Sequence, residues 1–199
     1  MGKDELSNRD VWQDVGGTKA TGAEHSFFGA FQNILEGTPF RIIPRPKDFR
    51  QIYVDISLSD KTLSEIFIPE EPIKKHGIAP DYKIVNSETG KILYVEVKRQ
   101  DGWVEGKPRS AGRGNAHERC CKYFTPGLLK ILRKKSGIKK QALPFWAVFQ
   151  GDITRDPCRV REITCWFDKF PNHYFFWRNT KDPRPLINHF EHKLKHLLC

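Results

Sequence analysis

Two short alternating runs, PDYKIV and KILYVEVK, flank the turn formers NSETG, and this stretch constrains the chain more than any other. Successive side chains of a strand point to opposite faces. Ile92, Tyr94, Glu96 and Lys98 therefore share one face, and Leu93, Val95 and Val97 the other. A hairpin turn centred on Glu88 and Thr89 sets Asp81 directly opposite Glu96, where Cβ atoms lie about 5 Å apart. A slip of one residue would carry Asp81 away. Two facing carboxylates repel, and such a pair persists where a cation or a proton sits between them. All-oxygen ligands fit a hard divalent ion, and Mg2+ fits best, because it takes one or two carboxylates and leaves room for water and phosphate. Lys98 beside that ion is placed to hold or deprotonate a water near a phosphate. The competing reading is bland: an E-x-K on a strand is often a solvent-facing ion pair, and Pro-Asp is a common loop start.

Charge favours the sharper reading. The formal charge of +10 resides wholly between Lys98 and Lys140, where 13 Lys and Arg stand against the three acids Asp101, Glu105 and Glu118. A local cationic block suits a polyanion such as DNA, which releases counterions on binding, although a solvated basic face has the same composition. The block begins at the lysine that ends the hairpin. With 199 residues, 38% of them hydrophobic and 12% aromatic, the chain reads as one globular domain over 1–199. It has no apolar run long enough for a membrane span and no leader-like start, so a cytoplasmic protein is expected. Cys120, Cys121, Cys158, Cys165 and Cys199 are odd in number and form no C-x-x-C pair, which points to reduced packing residues.

Helical periodicity predicts a helix over about 19–36, with Ala23, Phe27, Ala30, Phe31, Ile34 and Leu35 on its apolar side and a stop at Gly37. FRIIP reads as a short strand, and KDFRQIYVDI and DKTLSEIF as short helices, the second capped by Asp60. PFWAVFQ and HYFFW read as strands. PGLLKILRKK, the run after Pro157 with Val160, Ile163 and Phe167 on one stripe, and the C-terminal PLINHFEHKLKHLL read as helices. Alternating helices and four or five strands indicate an α/β or α+β domain around a mixed sheet. The Gly-rich GRGNAHER that opens the next helical stretch is suited to base reading in a major groove. Arg pairs with guanine, Asn with adenine, and an Ala methyl packs on the thymine methyl. Arg113, Asn115, Ala116 and Arg119 supply that set, and Gly114 with its neighbouring glycine lets the backbone approach DNA. Asn115 and Glu118 also make a capping box, which needs no DNA. His117 is expected to touch phosphate or face solvent, and Lys107, Lys122, Lys130, Lys134 and Lys135 to meet the DNA backbone.

The pattern Pro80-Asp81, fourteen residues, then Glu96-Val97-Lys98 resembles the PD-(D/E)XK nuclease family. VKRQDGWVEGK, SAGRGNAHER, FTPGLLK and GDITRDPCRVREIT extend the resemblance over nearly the whole chain to type II restriction endonucleases of the EcoRI-like branch. One departure is Cys120 in place of a Ser after Arg119. The resemblance implies a restriction-endonuclease-like α/β core, with a mixed central sheet of about five strands flanked by helices. It implies Asp81, Glu96 and the main-chain carbonyl of Val97 as Mg2+ ligands and Lys98 as the water-activating group. It also implies a homodimer on palindromic double-stranded DNA in a prokaryotic cell, with no small-molecule cofactor. Asn115 and Arg119 would then read an AATT core and Arg113 an outer G·C pair, which makes CAATTG the favoured site, cut to leave 5′-phosphates. A structure-selective or repair nuclease and a non-cleaving DNA-binding module are the rivals on the same fold. Glu24 is a possible accessory acid. His189, His192 and His196 share a helix face that is expected to be solvated.

Overall fold

The computed structural model describes residues 22–108 and 116–199. Five strands form one mixed sheet in sequence order: β1 (Phe40–Pro44), β2 (Tyr82–Asn86), β3 (Ile92–Arg99), β4 (Phe145–Gln150) and β5 (Tyr174–Trp177). The first three run antiparallel, and β3, β4 and β5 run parallel. The parallel pairs need long crossovers. A 3-10 helix (Ala116–Phe124) and α3 (Pro126–Ser136) supply the first, and α4 (Pro157–Phe167) the second. Helix α1 spans 22–35, α2 spans Asp60–Glu65 and α5 spans Arg184–Lys193.

The sheet is covered on both faces. Phe27, Phe31 and Leu35 of α1 and Phe190 of α5 pack on Leu93, Val95 and Trp146. Cys120 and Tyr123 of the 3-10 helix, Leu132 of α3 and Phe167 of α4 pack on Tyr94, Phe145 and Phe149. Every residue of β4 is buried, as a strand with helices on both sides requires. The β2–β3 hairpin takes the expected register, pairing Tyr82 with Val95 and Val85 with Ile92. Gly90 turns the chain at φ +71, and its N–H donates to Asn86 O at 2.9 Å. The turn is held from outside as well. Leu198 O accepts from Asn86 Nδ2 at 3.0 Å and from Thr89 Oγ1 at 2.6 Å.

Several local expectations fail for identifiable reasons. Residues 48–55 form consecutive turns rather than a helix. Helix α2 is capped by Ser59, which accepts from Thr62 N, so Asp60 is the first helical residue and not the cap; α2 buries none of its own side chains. Ile34 lies 36% exposed, outside the apolar stripe of α1. The predicted residues 19–21 of α1 lie outside the described residues. Pro157 does open α4, capped by Asp156, which accepts from Cys158 N and Arg159 N. No helix among the described residues is long and apolar enough to cross a membrane.

A buried histidine fastens β4 to the turn before β5. His173 Nδ1 donates to Phe145 O at 3.0 Å, and Nε2 accepts from Leu143 N at 3.3 Å. Both ring nitrogens are committed to the neutral form. Burial therefore dominates and pushes the His173 pKa down to about 4, against the pull of the Phe145 carbonyl. The folded value lies below the ordinary one, so the unfolded chain binds more protons as pH falls. The stability this ring contributes is whole above about pH 6.5 and is lost toward pH 4. Relative to His173→Gln, the unmodified protein should lose on the order of 2 kcal/mol more stability between pH 7 and pH 5. Urea melts of both proteins at the two pH values measure this; parallel losses would refute it.

Candidate active site

The hairpin brings three oxygen atoms to one point. Asp81 precedes β2, and its main-chain carbonyl is fixed by Arg45 N at 2.8 Å. Its Oδ2 reaches across to β3 and accepts from Val97 N at 2.7 Å. Lys98 Nζ then lies 2.7 Å from Glu96 Oε1, 3.3 Å from Asp81 Oδ2 and 3.2 Å from Val97 O. All three side chains are largely buried, with 16%, 6% and 15% of Asp81, Glu96 and Lys98 exposed. The alternation read from KILYVEVK and the turn assumed for NSETG together produce this convergence.

Two carboxylates and one ammonium leave a buried cluster one positive charge short. The strain shows on Asp81, whose pKa rises to about 6: burial is the largest cause, the Glu96 charge the next, and Lys98 only partly offsets them. Burial pulls the Lys98 ammonium down, but the Glu96 and Asp81 carboxylates outweigh it and hold it above the usual lysine range. Lys98 is thus a cation here, able to donate. The donor set of two carboxylates and a peptide carbonyl converging on one cationic atom fits a hard divalent ion. It does not suit a soft or nitrogen-loving metal. Among the described residues no group of three or more His, Cys, Asp and Glu could hold a metal, and His189, His192 and His196 form no such site. His189 is not simply solvated either: it stacks on Trp146 at 5.7 Å and bonds Asn172 O.

Glu24 of α1 stands close enough for its charge to raise the Asp81 pKa, and its carboxylate lies 3.9 Å from Arg45. Arg119 of the 3-10 helix is exposed, and so are Lys107 in the preceding loop and Lys130, Lys134 and Lys135 of α3; Lys122 is partly exposed, over the Tyr123 ring. Arg113, Gly114 and Asn115 lie outside the described residues, and Ala116 begins the 3-10 helix. His117 neither faces solvent nor is free to touch phosphate. It is wholly buried, between Gln100 and Glu162. Cys120 is likewise wholly buried in the core, so its exchange for Ser bears on packing rather than on a hydroxyl at the surface. Asp152 and Asp156 hold the loop that leaves β3, through Gly102 N and Glu105 N.

One residue of the site escaped the sequence reading. Tyr123, also buried, donates its hydroxyl to Glu96 Oε2 at 2.8 Å, which leaves Oε1 to face Lys98. Burial and the adjacent Glu96 charge push the Tyr123 pKa far up, so the hydroxyl stays a donor. The signal was the spacing of His117, Cys120 and Tyr123, three residues apart, which is one turn of a 3-10 helix. Tyr123→Phe should slow the reaction at this site about tenfold, the worth of one hydrogen bond to a charged group, while binding changes less than about twofold. Single-turnover rates and titration of the two proteins decide the matter; equal rates would sink it.

Comparison with known proteins places the chain in a family. A profile of the family described as Type II restriction enzyme MunI matches residues 1–199. The Type II restriction enzyme MunI of Mycoplasma sp is 51% identical over 201 residues, covering 100% of both chains. The crystal structure of MunI restriction endonuclease in complex with cognate DNA superposes with a TM-score of 0.81 at 50% identity, covering 94% of this chain and 97% of that one. With the fold and the whole length matched at such identity, the chain belongs to the MunI family of type II restriction enzymes, which are site-specific deoxyribonucleases.

Proposed function

We propose that this enzyme hydrolyses double-stranded DNA in a Mg2+-dependent reaction at the palindrome CAATTG, as a homodimer whose subunits each cut one strand. The observation that carries the chemistry is the meeting of Asp81 Oδ2, Glu96 Oε1 and Val97 O at Lys98 Nζ. Asp81, Glu96 and the Val97 carbonyl would hold the ion. Bound there, Mg2+ supplies positive charge against the phosphate as negative charge builds in the transition state. The remaining work belongs to the chain. The Lys98 ammonium donates to the attacking water or to a phosphate oxygen. Val97 N and Arg45 N hold Asp81 still, and Tyr123 holds Glu96. In-line attack by water oxygen on phosphorus breaks the bond to O3′; one water proton passes to solvent and the departing O3′ takes one up, leaving a 3′-hydroxyl and a 5′-phosphate. Glu24, close to Asp81, is the accessory acid of this site.

Recognition falls to the segment that follows. Asn115 and Arg119 are assigned to the AATT core, with Ala116 against a thymine methyl, and Arg113 to the outer G·C pair. Exposed Arg119 and the exposed lysines of α3 support this placement, and a MunI structure solved with cognate DNA supports duplex DNA as the ligand. Lys107, Lys122, Lys130, Lys134 and Lys135 meet phosphates, which positions the duplex without specifying it. A palindrome read by one such segment per strand calls for two subunits related by a twofold axis.

Two results are expected. Asp81→Ala should lose cleavage by at least about a thousandfold while still binding the specific duplex, and excess chelator should do the same to the unmodified enzyme until Mg2+ is restored. Wild-type cutting by the variant would overturn the metal assignment. Digestion of a long mapped DNA, with both ends sequenced, should place every cut at CAATTG with 5′-phosphates, and sedimentation should return a dimer. Cuts tied to junctions or damage would indicate a structure-selective nuclease, and binding without nicking a non-cleaving module.

A further inference from the structure

The side of the 3-10 helix turned away from solvent carries two polar attachments to the same strand. A 3-10 helix brings every third residue to one edge, and His117, Cys120 and Tyr123 are all buried along that edge, while Glu118 and Arg119 between them are exposed. At one end, Tyr123 holds Glu96 of β3. At the other, His117 Nδ1 lies 3.3 Å from Gln100 Oε1, just past the end of β3. Six residues of 3-10 helix rise about 12 Å, and four residues of strand about 13 Å. Helix and strand thus run side by side, in opposite directions, fastened near both ends.

The His117 end is the more heavily built. Its Nε2 lies 3.2 Å from Glu162 Oε2, and Arg159 Nη1 donates to both oxygens of Glu162 at 2.7 and 2.6 Å. Trp166 lies almost flat on the imidazole, 5.4 Å away at 14°. Gln100 is fixed in turn: its N–H donates to Gln150 O at 3.2 Å, and its carbonyl accepts from Ile153 N at 3.1 Å. A Cβ on Gly151 would come within 2.7 Å of that same carbonyl, so the backbones meet there closely. Gln100 stands two residues beyond Lys98, and His117 stands two residues from both Asn115 and Arg119.

We propose that His117 is a positioning residue for sequence discrimination: by joining the base-reading segment to Gln100 at the end of the catalytic strand, it makes correct base contact and correct placement of Lys98 a single geometry. The proposal rests on the assignment of base reading to Asn115 and Arg119. It assigns a share of specificity to a side chain with no access to DNA. When the bases are wrong, the segment shifts and carries β3 with it through Gln100. When the linkage is cut, the two can move apart, so that cleavage no longer registers which bases were met.

The quantity to measure is the ratio of single-turnover cleavage rates on CAATTG and on duplexes changed at one base pair, with Tm recorded for each variant. His117→Ala should lower that ratio at least about tenfold, His117→Gln, which keeps one hydrogen-bonding arm, should recover part of it, and Glu162→Ala should lower it about threefold. Glu162 is 38% exposed in its side chain, so its replacement disturbs the core less and decides the matter if His117→Ala does not fold. Asn115→Ala tests the underlying reading. If Asn115→Ala lowers the ratio and the His117 and Glu162 variants leave it within about twofold of the unmodified enzyme, the positioning role is wrong. If Asn115→Ala leaves it unchanged, the base-reading assignment fails and this inference falls with it.

Discussion

A buried ammonium shared by two carboxylates and a peptide carbonyl is the interaction around which this chain is arranged. Lys98 Nζ is within 3.3 Å of oxygens from Asp81, Glu96 and Val97. Those oxygens come from β3 and from the residue just before β2, so the cluster exists only in one hairpin register. A slip of one residue would turn Glu96 and Lys98 to the opposite face and set Leu93 and Val95 among charges. The fold guards against that slip at several points. Gly90 makes the turn, Leu198 O ties Asn86 and Thr89 from outside, and the β3 residues Val95 and Val97 are locked beneath α1 and α5. The cluster itself contributes little to folding, because its net charge is negative and buried. Its neighbours hold it in place, and the unsatisfied charge remains available for a cation.

The basic block acquires its meaning from where that strand leads. β3 delivers Lys98 and Arg99, and the loop after it is held by Asp152 and Asp156. The chain then enters the 3-10 helix and α3, whose lysines face outward. Cations clustered on one face draw a polyanion in and fix its register without reading it. A short helix with one buried edge and one exposed edge divides the labour well. The exposed edge carries Arg119 and the buried edge meets β3.

Much of this was legible in the sequence, and the limits have physical causes. The hairpin could be read because period-2 alternation and turn chemistry agree and leave one register that buries the apolar face. β4 could be read because PFWAVFQ is apolar throughout, the mark of a strand covered on both sides. Residues 48–55 were misread because Phe49, Ile52 and Tyr53 carry helical spacing, but the segment spends its backbone in turns such as Val54 N to Gln51 O. Ser59 and Asp60 are both good caps, and which one closes the helix is a local choice of one residue. Tyr123 and His117 were hidden for a different reason. Their partners lie 27 and 45 residues away, in Glu96 and Glu162, and a histidine among arginines in a basic segment looks like one more surface cation until burial is known.

The buried edge of the 3-10 helix explains why polar groups stand where apolar ones would pack as well. Leu or Phe in place of His117 and Tyr123 would fill similar space and avoid desolvating two hydrogen-bonding groups. Apolar packing, however, tolerates a helix that rotates or slides by a fraction of a residue, since the hydrophobic effect has no direction. The hydrogen bond from Tyr123 to Glu96 and those His117 shares with Gln100 and Glu162 accept only a narrow range of angles. A 3-10 helix of nine residues is longer than its weak hydrogen-bond geometry usually sustains, so it depends on such directional contacts for its pitch and its rotation. The same contacts that keep the helix in form therefore fix Arg119 relative to Lys98, and under the function proposed above, stabilising the helix and aligning it with β3 are one requirement.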